Sequence, residues 1–418
     1  MNPTVHPSAN AGTLFQFSRR ALFFFAALLL LPWVIVVFFA LRTPPAPAEP
    51  RAPYDEYVQA ARPGPWGELQ YSRLLIEPPD EFTAEDPSLF APPEWIFPDY
   101  TRARLTELWR TAQLDATHTA ALDTATTERP VPTPALVVHP PPDLVRALST
   151  EARTAIYAAL SAFPENPAQN EPFRFRADTA DEWFENSNVP PATLDLVRRL
   201  LYRRGNSLLF SDYAVVMPQI ASRSERIRLL KTLARKSTLL VKLRVRPNSD
   251  LDTLAEYWGR GPRRKGMRAL LESIAHRPEG ITIDVAHLLP KFPRSVLFTY
   301  PPPPASPADA SHDCHWTSLN FFNDTPDERF TDTEVVRHTL ETDYVPVVGR
   351  PTLGDILVFA RADDVVIHSC VFVADDIVFT KNGASETMPF ILMNLSDVIA
   401  FYPADPPLVI RAYRPRSP

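Results

Sequence analysis

Cysteine and glycine are the scarce residues of this 418-residue chain: it holds two Cys and 11 Gly against 47 Pro. Two cysteines exclude a stapled disulfide framework and a four-cysteine zinc site. Few glycines go with the lack of a phosphate-binding P-loop, a dinucleotide fingerprint and a Gly-x-Ser-x-Gly nucleophile elbow, and no His-Glu-x-x-His helix is found either. Flexible Gly/Ser tethers are absent as well. The prolines gather at 44–53, 78–98, 130–142 and 301–307, a pattern of extended linkers and braced loops. No internal repeat is present. The length calls for two or more domains together with non-globular segments.

Net charge is −6, but it is unevenly spread. Residues 201–268 carry sixteen Lys and Arg against five Asp and Glu, whereas residues 305–418 carry eight against seventeen. A basic middle and an acidic end can face each other or face different partners.

Residues 21–41 form the one long apolar run, 21 residues without a charge. At about 1.5 Å per residue this length spans a hydrocarbon core. Pro32 within it predicts a kink that membrane helices tolerate. Arg19 and Arg20 precede the run, with Arg42 and Arg51 behind it. That arrangement predicts a short cytoplasmic tail (1–20), an uncleaved single-pass anchor in the cytoplasmic membrane (21–41) and an exported, periplasmic bulk on a proline-rich stalk (42–63). The rival reading is a cleaved signal peptide, but Ala46-Pro47-Ala48 is a poor cleavage site and the run is long for a signal sequence.

Beyond the stalk, residues 64–135 read as an irregular α/β segment, with a strand at 66–77, a helix at 100–115 and loop at 117–134. Residues 136–300 read as a mainly helical basic domain. Helices are expected near 149–163, 190–205, 223–234, 250–258 and 263–276, and strands at 241–246 and 281–285. The Gly259–Gly266 stretch sets glycines beside Arg260, Arg263, Arg264 and Lys265, a composition that suits phosphate or carboxylate. The 203–268 region is therefore a candidate surface for an anionic envelope polymer, and export argues against nucleic acid. Residues 305–418 read as a separate α+β domain, with a helix from Cys314, a second helix at 331–340 capped by Thr331 and Glu334, and strands at 356–359, 365–373, 377–381 and 409–413.

Cys314 follows Asp313, a good helix cap, and opens an apolar helix through Trp316, Leu319 and Phe322. A thiol attacks a carbonyl as thiolate, and it becomes one at a helix N-terminus beside an imidazolium. His368 can supply the imidazole, because the apolar residues around it predict a buried, rigid strand. Gly354-Asp355 turns the chain into the first strand of this sheet. The Cys314 backbone N–H is a candidate oxyanion donor.

An Asp-Cys at a helix start, a Gly-Asp before a strand and a histidine hairpin at 367–380 together resemble the NlpC-type cell-wall peptidases and amidases of the papain-like cysteine superfamily. The resemblance covers 313–402, roughly the last quarter of the chain. It implies a papain-like α+β domain, a cell-wall stem peptide as substrate, Cys314 as nucleophile, His368 as base, and a third polar residue at the Thr380 position to orient the imidazole. Asn382, two residues on along the same strand face, is the other candidate for that role. The family has Ser-Gly after its cysteine where this chain has His315-Trp316, so the substrate-binding candidates are Asp313, His315 and Trp316.

Other readings of the same residues stay open. Cys314 and Cys370 can form a disulfide. His312, Cys314 or His315 can join His368 and Cys370 around zinc, although the spacing matches no known signature. No cofactor or metal is expected. The alternatives to a hydrolase are a non-catalytic envelope scaffold and a cysteine acyltransferase.

Overall fold

The computed structural model describes residues 58–80, 90–129, 134–205, 207–302, 312–402, 404 and 406–416. The expected tail, the 21–41 anchor and stalk residues 42–57 lie outside the described residues. Among those described, no helix is long and apolar enough to cross a membrane.

The described residues open with two antiparallel strands, β1 (Gln59–Ala60) and β2 (Glu68–Ile76). The end of the expected stalk is thus folded, and Arg62 adds an ion pair to Asp375 at 2.6 Å. A three-stranded sheet follows, with Trp95–Pro98 (β3) and Thr126–Arg129 (β4) flanking Ala135–Val138 (β5). Part of the stretch expected as loop is helix Ala116–Thr124, capped by the Asp115 carboxylate on the His118 N–H at 2.8 Å. Its alternating Ala and Thr gave no apolar stripe to read.

A second three-stranded sheet places Ser207–Phe210 (β8) between Phe173–Arg176 (β6) and Tyr202–Arg204 (β7). The 136–300 segment therefore carries more strands than the two expected, alongside its helices. Strands this short, fully or half buried, show no period-two signal. Strand β9 (Lys236–Val245) then pairs with all of β2, Glu68 opposite Arg244 and Ile76 opposite Lys236, and β10 (Ile281–Asp284) lines its other edge. This pairing unites residues that the sequence assigns to two segments, 64–135 and 136–300.

The C-terminal sheet has six antiparallel strands in the order β11 (Tyr344–Pro346), β16 (Val409–Pro415), β12 (Ile356–Ala360), β13 (Val366–Ala374), β14 (Ile377–Thr380) and β15 (Ile391–Asn394). Helix Thr333–Asp343 precedes β11. Its cap is Asp332, bonded to the Glu334 N–H, and not the Thr331 capping box. Gly354 sits at φ +87°, and a Cβ there would come within 2.2 Å of the Phe322 ring, so the turn into β12 requires glycine. Asp355 behind it is fully buried and takes both arms of Arg414, at 2.8 and 2.6 Å.

The architecture is α+β with antiparallel sheets. Residues Gln59–Pro418 form one compact unit. Its largest core runs from Trp66, Val241 and Trp258 through Phe372, Val378 and Phe379, joining the β2–β9 sheet to the C-terminal sheet. Tyr257 seals that junction by donating its hydroxyl to the Val373 carbonyl at 2.6 Å. Basic and acidic segments touch at Arg260–Asp355, 3.8 Å.

Candidate active site

Cys314 opens helix Cys314–Leu319, and the Asp313 carboxylate accepts the N–H groups of His315 and Trp316, both at 2.8 Å. The helix is only six residues long and stops before Phe322, so its dipole lends the thiol little. It is pinned to β13 by Ser369, whose hydroxyl donates toward the Cys314 carbonyl at 3.3 Å and meets Ser318 Oγ at 3.1 Å and His315 Nδ1 at 2.9 Å.

Consecutive strand residues point to opposite faces. With Ser369 turned to the helix, His368 is directed to the other face of β13, among Phe359, Thr380 and Tyr402. The Cys314 sulfur approaches at the strand edge, where it faces the Ser369 backbone N–H, the next atom of the chain after His368.

The imidazole is fully buried, and with the Asn382 amide oxygen turned to Thr380 its contacts favour one tautomer. His368 Nε2 lies 3.1 Å from Thr380 Oγ1, and Thr380 donates its single proton to Asn382 Oδ1 at 3.2 Å. Thr380 therefore accepts from Nε2–H, which leaves Nδ1 as the bare lone pair. Nδ1 is buried without a hydrogen-bond partner, and no hydrogen bond joins it to the Cys314 sulfur. The imidazole thus meets Thr380 directly and Asn382 only through it. Asn382 also touches the Met393 sulfur at 3.1 Å.

Electrostatics leave both groups uncharged at neutral pH. Burial pushes the Cys314 thiol up to about 12 and the Asp313 carboxylate adds to the push, against the Ser369 and Cys314 N–H groups and the Lys381 ammonium. Burial pushes His368 down to about 3, reinforced by His315. The resting pair is thiol and neutral imidazole, not thiolate and imidazolium.

The remaining residues singled out in the sequence have clear places. Trp316 is buried between Phe292 and Phe390 with the His312 ring stacked on it at 3.7 Å, a core position. His312 also reaches Glu328 at 2.8 Å. Both cysteines are free thiols, and burial raises Cys370 well above the ordinary range. Asp313, Cys314 and His315 bring their ligand atoms within 4.8 Å of one another. Helix capping by Asp313 and the Ser369 contact of His315 account for that convergence, and neither His368 nor Cys370 belongs to it.

Three neighbours were not singled out in the sequence. Ser369 clamps the helix. Lys381 is buried, donates to the carbonyls of Gly383 and Ser385 at 2.7 and 2.9 Å, and is pushed down to about 8 by burial. Tyr402 stacks on His368, and its buried hydroxyl has no partner among the described residues. Lys381 and Ser369 could have been found by strand parity, since they flank the histidine and threonine positions; Tyr402 carried no signal.

Comparison with protein-family models, curated proteins and solved structures finds no match to the chain.

The 259–266 stretch is a short 3-10 turn, Gly261–Arg263, running into helix Arg264–Ala275, and its arginines are engaged within the fold. Arg263 donates to the carbonyls of Leu288 and Leu289 at 2.6 and 3.0 Å, Arg264 lies 3.8 Å from Glu256, and Arg260 faces Asp355.

Proposed function

We propose that this protein is a thiol hydrolase that cleaves an amide or peptide bond, with Cys314 as nucleophile and His368 as base. The observation that carries the reading is the one-sided anchoring of His368: Nε2 is held by Thr380 while Nδ1 is buried, unpartnered and free to take a proton. In this reading Nδ1 removes the Cys314 proton as sulfur attacks the carbonyl carbon. The tetrahedral intermediate collapses when Nδ1–H protonates the departing amine, leaving a thioester. Water, deprotonated by the same nitrogen, then attacks the thioester and releases the acid. The closed, uncharged resting pair requires that substrate binding bring sulfur and Nδ1 into contact.

By resemblance the hydrolase domain is papain-like, of the NlpC type, and the substrate is cell-wall stem peptide met outside the cytoplasmic membrane to which the apolar 21–41 run anchors the chain. A second reading, a non-catalytic envelope module, is favoured by one observation: Cys314 is only 5 % exposed and His368 0 %.

The test is release of stem-peptide fragments from purified cell-wall material by the full chain, together with trapping of an acyl adduct on Cys314 from an activated ester. Turnover that vanishes in Cys314→Ser and in His368→Ala, with unfolding midpoints unchanged, supports the hydrolase. An adduct that persists until an amine is added means acyl transfer. Activity indifferent to both substitutions, or no adduct at all, sinks the reading in favour of the envelope module.

A further inference from the structure

Arg174, Arg204 and Lys236 are each half-buried, and Arg174 reaches the carbonyl of Phe401, the residue before Tyr402. The pairing of β6, β8 and β7 sets Arg174 opposite Leu209 and Leu209 opposite Tyr202, with Arg176, Ser207 and Arg204 in the row two residues along. Arg174 and Arg204 therefore share one sheet face. Arg174 repels both Arg204 and Lys236, the first residue of β9.

Surface arginines of this chain are commonly matched: Arg176 pairs with Asp178 and Asp397, and Arg246 with Glu68. Arg174, Arg204 and Lys236 have no carboxylate partner among the described residues. Among the described residues, Arg174 has only the Phe401 carbonyl at 3.3 Å and the Phe401 ring, and Arg204 Nη2 is buried with nothing to donate to. Removing a guanidinium nitrogen from water without an acceptor is costly, and gathering three cations adds repulsion. An anion between them would relieve both.

We infer that Arg174, Arg204 and Lys236 form a binding site for a phosphoryl group. Two guanidinium forks and an ammonium offer more charge than one carboxylate neutralises, and a phosphate monoester dianion presents enough acceptor oxygens to meet them all. The inference does not rest on the cysteine chemistry, although Arg174 abuts Phe401 beside Tyr402. Half-buried side chains leave the site open to a free organophosphate and to a lipid headgroup alike.

The experiment is isothermal titration of the full chain with inorganic phosphate, with acetate as the singly charged control. It is paired with titration of the same chain, held in neutral detergent, with short-chain phosphatidic acid and with short-chain phosphatidylcholine as control. Wild type should bind phosphate and not acetate. Arg204→Gln and Lys236→Met should each weaken phosphate binding about tenfold or more, as loss of a charge-assisted hydrogen bond requires. Without phosphate, Lys236→Met should melt no lower than wild type, because it relieves repulsion. Binding of short-chain phosphatidic acid but not phosphatidylcholine that is lost in Arg204→Gln, without binding of free phosphate, assigns the site to a lipid headgroup. Absence of both kinds of binding overturns the inference, as does binding that is equal in wild type and both variants.

Discussion

Tyr402 lies face to face on His368, with 4.4 Å between ring centroids and 27° between planes. It directly follows the helix Leu395–Phe401, which Arg73 and Arg176 hold through Asp397. The residue that covers the imidazole is thus fixed by an ion-pair cluster on a different part of the chain.

Tyr402→Ala should therefore uncover the imidazole. The lost ring is expected to cost about 3–5 kcal/mol of stability. His368 should move from about 3 back toward its ordinary 6.5. Tyr402→Phe removes a hydroxyl that has no partner, so it should be neutral or slightly stabilising. Denaturant unfolding and NMR titration of the histidine ring measure the two effects; a ring pKa unchanged in Tyr402→Ala would show that the stack does not set it.

Thr380 is the positioning contact. Thr380→Val keeps the shape and leaves Nε2–H unpartnered, so the imidazole loses its preference for one tautomer. If the hydrolase reading holds, kcat should fall about tenfold or more while KM stays near wild type. The imidazole nitrogen shifts should report mixed tautomers. Thr380→Ser should restore both readouts. A variant Val enzyme with a single tautomer and full kcat would remove Thr380 from the site.

Acid and alkali should each unfold the protein through one member of the pair. His368 has a folded value of about 3 against an ordinary 6.5. Between these the unfolded chain binds a proton that the folded chain refuses, so stability should fall as pH drops from 6.5 toward 3. Cys314 has a folded value of about 12 against an ordinary 9.0. Between these the unfolded chain sheds a proton that the folded chain keeps, so stability should fall as pH rises from 9.0 toward 12. Denaturation midpoints across pH should show both slopes, the acid one reduced in His368→Gln and the alkaline one in Cys314→Ser. A slope left intact in its variant would assign it to other groups.

Asp313 caps the helix and also opposes the thiolate. Asp313→Asn keeps a capping oxygen and removes the charge, so alkylation of Cys314 should shift to lower pH with little change in stability. Asp313→Ala should lose about 1 kcal/mol from the missing cap. Iodoacetamide labelling mapped by mass spectrometry checks the first, thermal melting the second. An alkylation profile that does not move in Asp313→Asn would dismiss the carboxylate as a brake on the thiol.

Elements with a strong period or an unambiguous cap were visible in the residues themselves. The helices Arg223–Leu233, Leu251–Trp258 and Arg264–Ala275 and the strands β2, β12, β13, β14 and β16 lie where apolar spacing placed them. Asp313 was legible as a cap because that role depends on the next three residues alone. The four-residue strands β3, β5, β6 and β8 were not, since a buried run that short has no period.

Local chemistry, written in neighbouring residues, was therefore determined by the sequence alone: the helix start at Cys314, the glycine turn before Asp355, and the hairpin that sets Thr380 beside His368. What depends on distant segments was decided by tertiary structure. Pairing of β2 with β9 merged two expected segments. Packing buried Cys314 and His368 deeply enough to leave both uncharged, laid Tyr402 over the imidazole, and gathered Arg174, Arg204 and Lys236 from three separate strands. Burial and electrostatic environment are properties of the assembled neighbours, and no window of adjacent residues contains them.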